Sequence, residues 1–186
     1  MSSVLARNIA DMRCLLAQAE SFEEKVIAAS DLLAEALVGG KKLLACGNGG
    51  SAADASHLTT EFVCRFNRDR KPYPALSLAA HGGDLTAIGN DYDFKDVFAR
   101  QVEAFGAFGD VLMAFTTSGM SENVRRALLA AKKKQLRTIA FLGKDGGMCK
   151  GLADIELLVQ SPLAARTQEV HKLLLHTICE LVETRL

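Results

Sequence analysis

His57 and Glu61 stand four residues apart in the stretch CGNGGSAADASHLTTEF, residues 46–62, a spacing that puts both side chains on one face of an α-helix. An imidazole and a carboxylate so placed can move protons between carbon and oxygen, or share a divalent cation. The bland alternative is a surface helical pair worth a few tenths of a kcal/mol. A second group, TQEVHKLLLH at 167–176, offers Gln168, His171 and His176, although a lone histidine on a helix is more often structural. Between them lies FTTSGMSENV at 115–124, which sets Thr116, Thr117, Ser118 and Ser121 around Gly119. Several hydroxyls at the positive end of a helix suit a phosphate monoester without lysine or arginine. Ser118 or Ser121 could instead cap the helix that follows, but a cap needs one hydroxyl and four are supplied.

The elements that must carry these residues are readable from apolar periodicity. KKLLACG (41–47) is a short strand candidate, broken by Gly47, Asn48, Gly49 and Gly50 before a helix expected over about 51–66. The glycine-rich turn matches neither GxGxxG nor GxxxxGK[ST], and no lysine in it can reach nucleotide phosphates. Further strand candidates are ALSLA (75–79), DVLMAF (110–115), LRTIAFLG (136–143) and DIELLVQ (154–160). Helices are expected at 121–134 and from 165 to the end, and two more over 3–38, parted near Ser21, whose Glu24 three residues on resembles a capping box. Alternating strands and helices predict an α/β fold with a parallel sheet of about five strands covered on both faces. Ligands in such folds bind beyond the carboxyl ends of the strands, which is where both turns fall.

With 186 residues, three prolines, and no repeat or linker, the chain reads as one domain, 1–186. Lysine plus arginine and aspartate plus glutamate both number 22, so no electrostatic footprint for nucleic acid exists. The five cysteines, Cys14, Cys46, Cys64, Cys149 and Cys179, are scattered without a CxxC pair; they are expected to be reduced small hydrophobes, and a thiolate zinc site is not expected. Arg7, Asp11, Arg13 and Glu20 break up any signal-peptide core, and no run reaches the ~20 apolar residues of a membrane span. A cytoplasmic location with no membrane partner is expected. The apolar surface of the terminal helices, 3–38 above all, exceeds what one sheet needs and predicts burial between subunits.

CGNGGSA followed by TTSGMSENV resembles the sugar isomerase (SIS) domain over essentially the entire chain, and within that superfamily the phosphoheptose isomerase family, whose patterns read GNGGS and STSGxS. Thr116 replaces the first serine of the second pattern and keeps its hydroxyl. The resemblance implies a flavodoxin-like three-layer αβα fold, and a homotetramer with active sites at subunit boundaries. It also implies interconversion of sedoheptulose 7-phosphate and D-glycero-D-manno-heptose 7-phosphate, the first step of nucleotide-heptose biosynthesis. By matched position, Glu61 of HxxxE would be the base and His176 of QxxxHxxxxH the acid, with zinc held by His57, Glu61, Gln168 and His176. Phosphate would lie at Ser51, Thr116, Thr117, Ser118 and Ser121, and the sugar at Asn48, Gly49 and Gly50. Arg65, one turn beyond Glu61, would orient it or touch the ligand, and Asn90 and Asp91 of AIGNDY would meet sugar hydroxyls. Two geometric points temper the ligand set. Eight residues separate Gln168 from His176, ~12 Å along a straight helix and about 80° in rotation, so the two share an ion only by reaching toward each other. A glutamate bound to zinc is also a weaker base. LAAHGGDLTA departs from the family's LTTDxSxLTA, with Asp84 as a shifted acidic residue, and Ala165 stands where some members carry aspartate. The competing identity is a non-catalytic initiator-associating protein of the same superfamily. That protein typically lacks the HxxxE glutamate and the second C-terminal histidine, both present here as Glu61 and His176.

Overall fold

The computed structural model describes residues 3–186 and gathers the five apolar runs into one sheet. These are β1 (Leu43–Gly47), β2 (Ala75–Ser77), β3 (Val111–Thr116), β4 (Arg137–Gly143) and β5 (Ile155–Val159). All four pairings are parallel, in the order β2-β1-β3-β4-β5. That is the flavodoxin-like order, which reverses direction between β1 and β3.

Side chains alternate across the sheet with period two. Leu43, Ala45, Val111, Met113, Phe115, Ile139, Phe141, Leu157 and Val159 enter one core cluster, with Phe115 and Phe141 stacked at 4.4 Å between centroids. Their neighbours Leu44, Cys46, Leu112, Ala114, Ala140 and Leu142 enter the other. The first face is covered by α2 (Glu23–Val38), α3 (Gly50–Val63) and α7 (Ala164–Glu183), with α1 (Val4–Glu20) laid over α7. The second is covered by α5 (Ala99–Phe105) and α6 (Glu122–Lys133), with α4 (Gly82–Asp91) at its margin. Neither α4 nor α5 is expected from the sequence. Gly82 and Gly83, poor helix formers, open α4, and α5 is a single short segment of seven residues.

Two boundaries differ from expectation for identifiable reasons. Ser21 does not start α2: its hydroxyl donates back to the Gln18 carbonyl and closes α1, while the cap position of α2 is Phe22 with no side-chain bond. The capping box is therefore absent. Helix α3 stops at Val63 rather than residue 66, because Arg70 donates to the carbonyls of Glu61 (2.6 Å) and Phe62 (3.1 Å). The N–H groups of Phe66, Asn67 and Arg68 turn instead to the buried Glu183 carboxylate. Glu183 thus ties the end of α7 to the segment leaving α3.

All five cysteines are free. Burial pushes the Cys149 thiol up to about 11 and Cys179 to about 12, which keeps them protonated and inert. Cys14 and Cys64 are exposed, while Cys46, Cys149 and Cys179 are buried. Among the described residues no helix is long and apolar enough to cross a membrane.

Candidate active site

The turns after β1 and β3 sit side by side where the strand order reverses, since these two strands pair through their whole length. Gly49 adopts φ 55°, ψ −121°, a conformation that side chains resist. A Cβ on Gly50 would lie 2.0 Å from Gln168 Nε2, so the missing side chain makes room for that amide. Asn48 and Asn123 exchange two amide hydrogen bonds of 2.9 Å each, binding the first turn to the start of α6. Ser51 is buried in the first turn of α3.

In the second turn the hydroxyls bond to one another. Thr116 Oγ1 lies 3.1 Å from Ser121 Oγ and 3.4 Å from Ser118 Oγ, and accepts from the Gly119 N–H at 3.2 Å. Ser118 Oγ accepts from the Met120 N–H. Ser121 occupies the cap position of α6 yet makes no side-chain cap bond, so capping does not account for it. The turn is wedged in place. Gly119, at φ +68°, is so close to the loop after β4 that a Cβ would stand 2.2 Å from the Gly146 carbonyl, and a Cβ on Gly143 would stand 2.2 Å from the Thr117 carbonyl oxygen.

Helices α3 and α7 pack together, and they bring three of the expected residues to one point. His57 Nε2 is 2.8 Å from Glu61 Oε1 and 3.4 Å from His176 Nε2, the two imidazoles meeting edge to face at 4.9 Å. One ligand atom from each of His57, Glu61 and His176 falls within 4.8 Å of the others, a set able to hold a metal ion. His176 is held below its ordinary value by burial first, then by His57 and Lys172, which outweigh Glu61 and Asp54. A neutral imidazole offers one donor and one acceptor, suited to shuttling a proton.

Gln168 stays with the glycine turn: its amide lies against Gly50, seven residues (~10 Å of helix) before His57. His171 points to the opposite, buried side. Its Nε2 donates to the Leu142 carbonyl at 3.1 Å, Nδ1 has no partner among the described residues, and burial lowers its pKa to about 4. It is a core residue between α7 and the sheet. Asn90 and Asp91 are exposed at the end of α4, where Asn90 Nδ2 donates to Asp91 Oδ1 at 2.8 Å. Asp84 lies in the first turn of the same helix. Arg65 is exposed and, among the described residues, reaches only the Asn67 carbonyl at 3.4 Å; the backbone at Glu61 is held by Arg70 instead.

Two residues at the site escaped the sequence reading. Lys172 Nζ lies 2.9 Å from His57 Nδ1 and 2.7 Å from Asp54 Oδ1, and Asp54 is buried with its Oδ2 unpartnered among the described residues. Their spacing carried a signal: Asp54 is three residues before His57 and Lys172 four before His176, each on the working face of its helix.

Comparison with known proteins shows the family. A profile of the SIS domain matches residues 8–143. The phosphoheptose isomerase of Clostridium acetobutylicum is 48% identical over 163 residues, covering 88% of this chain and 83% of that protein. The solved phosphoheptose isomerase of Neisseria gonorrhoeae superposes with a TM-score of 0.89 at 39% identity, covering 97% of each chain. That of Francisella tularensis gives 0.91 at 32% identity, covering 99% of this chain and 100% of the other. With a matching profile, relatives of this identity and a shared parallel sheet, the chain belongs to the SIS domain family and, within it, to the phosphoheptose isomerases.

Proposed function

We propose that the chain interconverts sedoheptulose 7-phosphate and D-glycero-D-manno-heptose 7-phosphate, the step that opens nucleotide-heptose biosynthesis. The observation that carries the reading is the meeting of His57, Glu61 and His176 from two distant segments. Isomerisation of a ketose to an aldose needs a base for a carbon-bound proton and a group that serves both oxygens. Glu61 takes the proton from C1 as the C1–C2 double bond of the enediol forms. His176 carries the O1 hydroxyl proton to O2, and the carbon proton returns at C2. The substrate phosphate sits on the hydroxyls of Thr116, Thr117, Ser118 and Ser121 with Ser51, and the sugar chain lies along Asn48, Gly49 and Gly50.

His57, Glu61 and His176 are a fitting donor set for zinc, with Gln168 as a fourth ligand if its amide swings from Gly50. Bound there, zinc would polarise the substrate carbonyl and steady the developing oxyanion. With the ion bound, Glu61 would be both ligand and base, one carboxylate oxygen for each role; among the described residues no hydrogen bond reaches Oε2.

The chain works as a homotetramer in this reading. Val4, Leu5, Ile9 and Leu16 are exposed on α1, and a groove of about 550 Å³ opens between α1, α2 and α7. The exposed Asn90, Asp91 and Arg65 then serve sites completed across a subunit boundary. The test is incubation with sedoheptulose 7-phosphate in deuterium oxide, followed by NMR at C1 and C2. Deuterium incorporation vanishes in Glu61→Gln and falls about 10²-fold or more in His176→Ala. Full exchange in Glu61→Gln refutes the mechanism, and an inert wild-type protein that binds a replication initiator favours the non-catalytic alternative.

A further inference from the structure

Lys172 is none of the proposed ligands, yet it holds the far side of one. Its ammonium lies 2.9 Å from His57 Nδ1. An ammonium has three donors and no acceptor, so the nitrogen that faces it must offer a lone pair. Neutral imidazole has one lone pair, and with it on Nδ1 the proton sits on Nε2. The opposite side of the ring agrees, since Nε2 lies 2.8 Å from Glu61 Oε1, an acceptor. A histidine that ligates metal has the reverse arrangement: the ligating nitrogen is bare, and the other donates its N–H to a carboxylate, carbonyl or water. Here the partner of that other nitrogen is a cation with nothing to accept it.

The structure also provides a place for Lys172 to go. Asp54 Oδ1 already binds its Nζ at 2.7 Å, and Asp54 Oδ2 is buried without any partner among the described residues. An ammonium that released His57 would find a second acceptor on the same carboxylate. Asp54 comes from α3 and Lys172 from α7, so the exchange needs only a side-chain rotation between packed helices.

We propose that Lys172 competes with the divalent ion for His57: it clamps the ring in the tautomer that cannot ligate through Nε2, and an ion binds only when the ammonium withdraws to Asp54. The inference rests on the reading of His57, Glu61 and His176 as metal ligands. Lys172 is thus a positioning residue that sets how tightly this chain keeps its ion.

Two measurements test it. The first titrates zinc into metal-stripped wild type and Lys172→Met, in competition with a chromophoric chelator, with thermal melts to verify folding. Partners of metal-bound histidines change affinity by roughly 10- to 100-fold, and Lys172→Met is expected to bind zinc tighter by that factor. The second reads the His57 tautomer in the metal-free wild type by long-range proton–nitrogen correlation NMR, with the proton expected on Nε2. Equal or weaker zinc binding by a folded Lys172→Met overturns the proposal, as does a wild-type His57 protonated on Nδ1. If Lys172→Met does not fold, the wild-type tautomer decides alone. If neither protein binds zinc, the metal reading itself falls and takes this inference with it, whereas tight but equal binding removes only the role of Lys172.

Discussion

Replacing Gly50 by alanine would put a methyl carbon 2.0 Å from Gln168 Nε2, 2.9 Å from its Cδ and 3.0 Å from Oε1. Non-bonded carbon and nitrogen settle near ~3.5 Å, so the amide must retreat by about 1.5 Å. The obstructing atoms end a flexible side chain, and the first residue of α3 tolerates a Cβ in its backbone conformation. An off-rotamer glutamine costs about 1 kcal/mol, and alanine for glycine returns about 0.4–1 kcal/mol through the unfolded state. The two nearly cancel. For a chain of this size the melting temperature should move by no more than about 4 °C. Activity should respond differently, because a misplacement near 1 Å can cost about 10²-fold. The assay pairs a thermal melt with kcat/KM for sedoheptulose 7-phosphate, and the expected result is a loss of about 10²-fold at nearly unchanged stability. Wild-type kcat/KM in Gly50→Ala would refute a working role for the Gln168 amide. A melting temperature lowered by about 8 °C or more would refute the claim that only a side-chain end has to move.

Gly119→Ala is the contrasting case: its Cβ meets the Gly146 backbone at 2.2 Å in a left-handed residue, so the melting temperature should fall by about 5–10 °C. Glu183→Gln removes the counter-ion of the half-buried Arg70 and weakens the acceptors of three backbone N–H groups; urea denaturation should report a loss of about 3 kcal/mol. Stability should also fall on acidification. His171 in the fold takes a proton only near pH 4, whereas the unfolded chain takes one near 6.5. The unfolded state therefore binds more protons between these values, and this contribution, fully present above about 6.5, is lost by about 3 kcal/mol on the way to pH 4. His176, shifted in the same direction, adds to the slope. A urea midpoint that stays level from pH 7 to 4 contradicts this.

The five strands were legible because each is a short apolar run ended by glycine or polar residues, and burial on both faces leaves little ambiguity about where such runs belong. Helix α4 was not, since its opening glycines are helix breakers by propensity and it buries no residue outright. The end of α3 was equally hidden, because Arg70 and Glu183 that fix it come from 7 and 120 residues beyond Val63. At the site, HxxxE was visible as a helical pair, and the convergence of His176 upon it came only from the resemblance. Tertiary packing of α3 on α7 decides it, and spacing along one helix carries no information about the facing one. The same limit explains Lys172 and Asp54, whose meeting is a property of two helices together.

The contact of Gly119 with Gly146 and Gly147 reaches further than the turn it shapes. Backbone pressed on backbone leaves the hydroxyl-lined bend no slack to open and shut, so the phosphate of the proposed substrate would meet a mould already set. Little chain entropy is then lost on its arrival at that end of the pocket. Any hinge that follows substrate must lie elsewhere in the fold, and the four glycines at 119, 143, 146 and 147 can change only as a block.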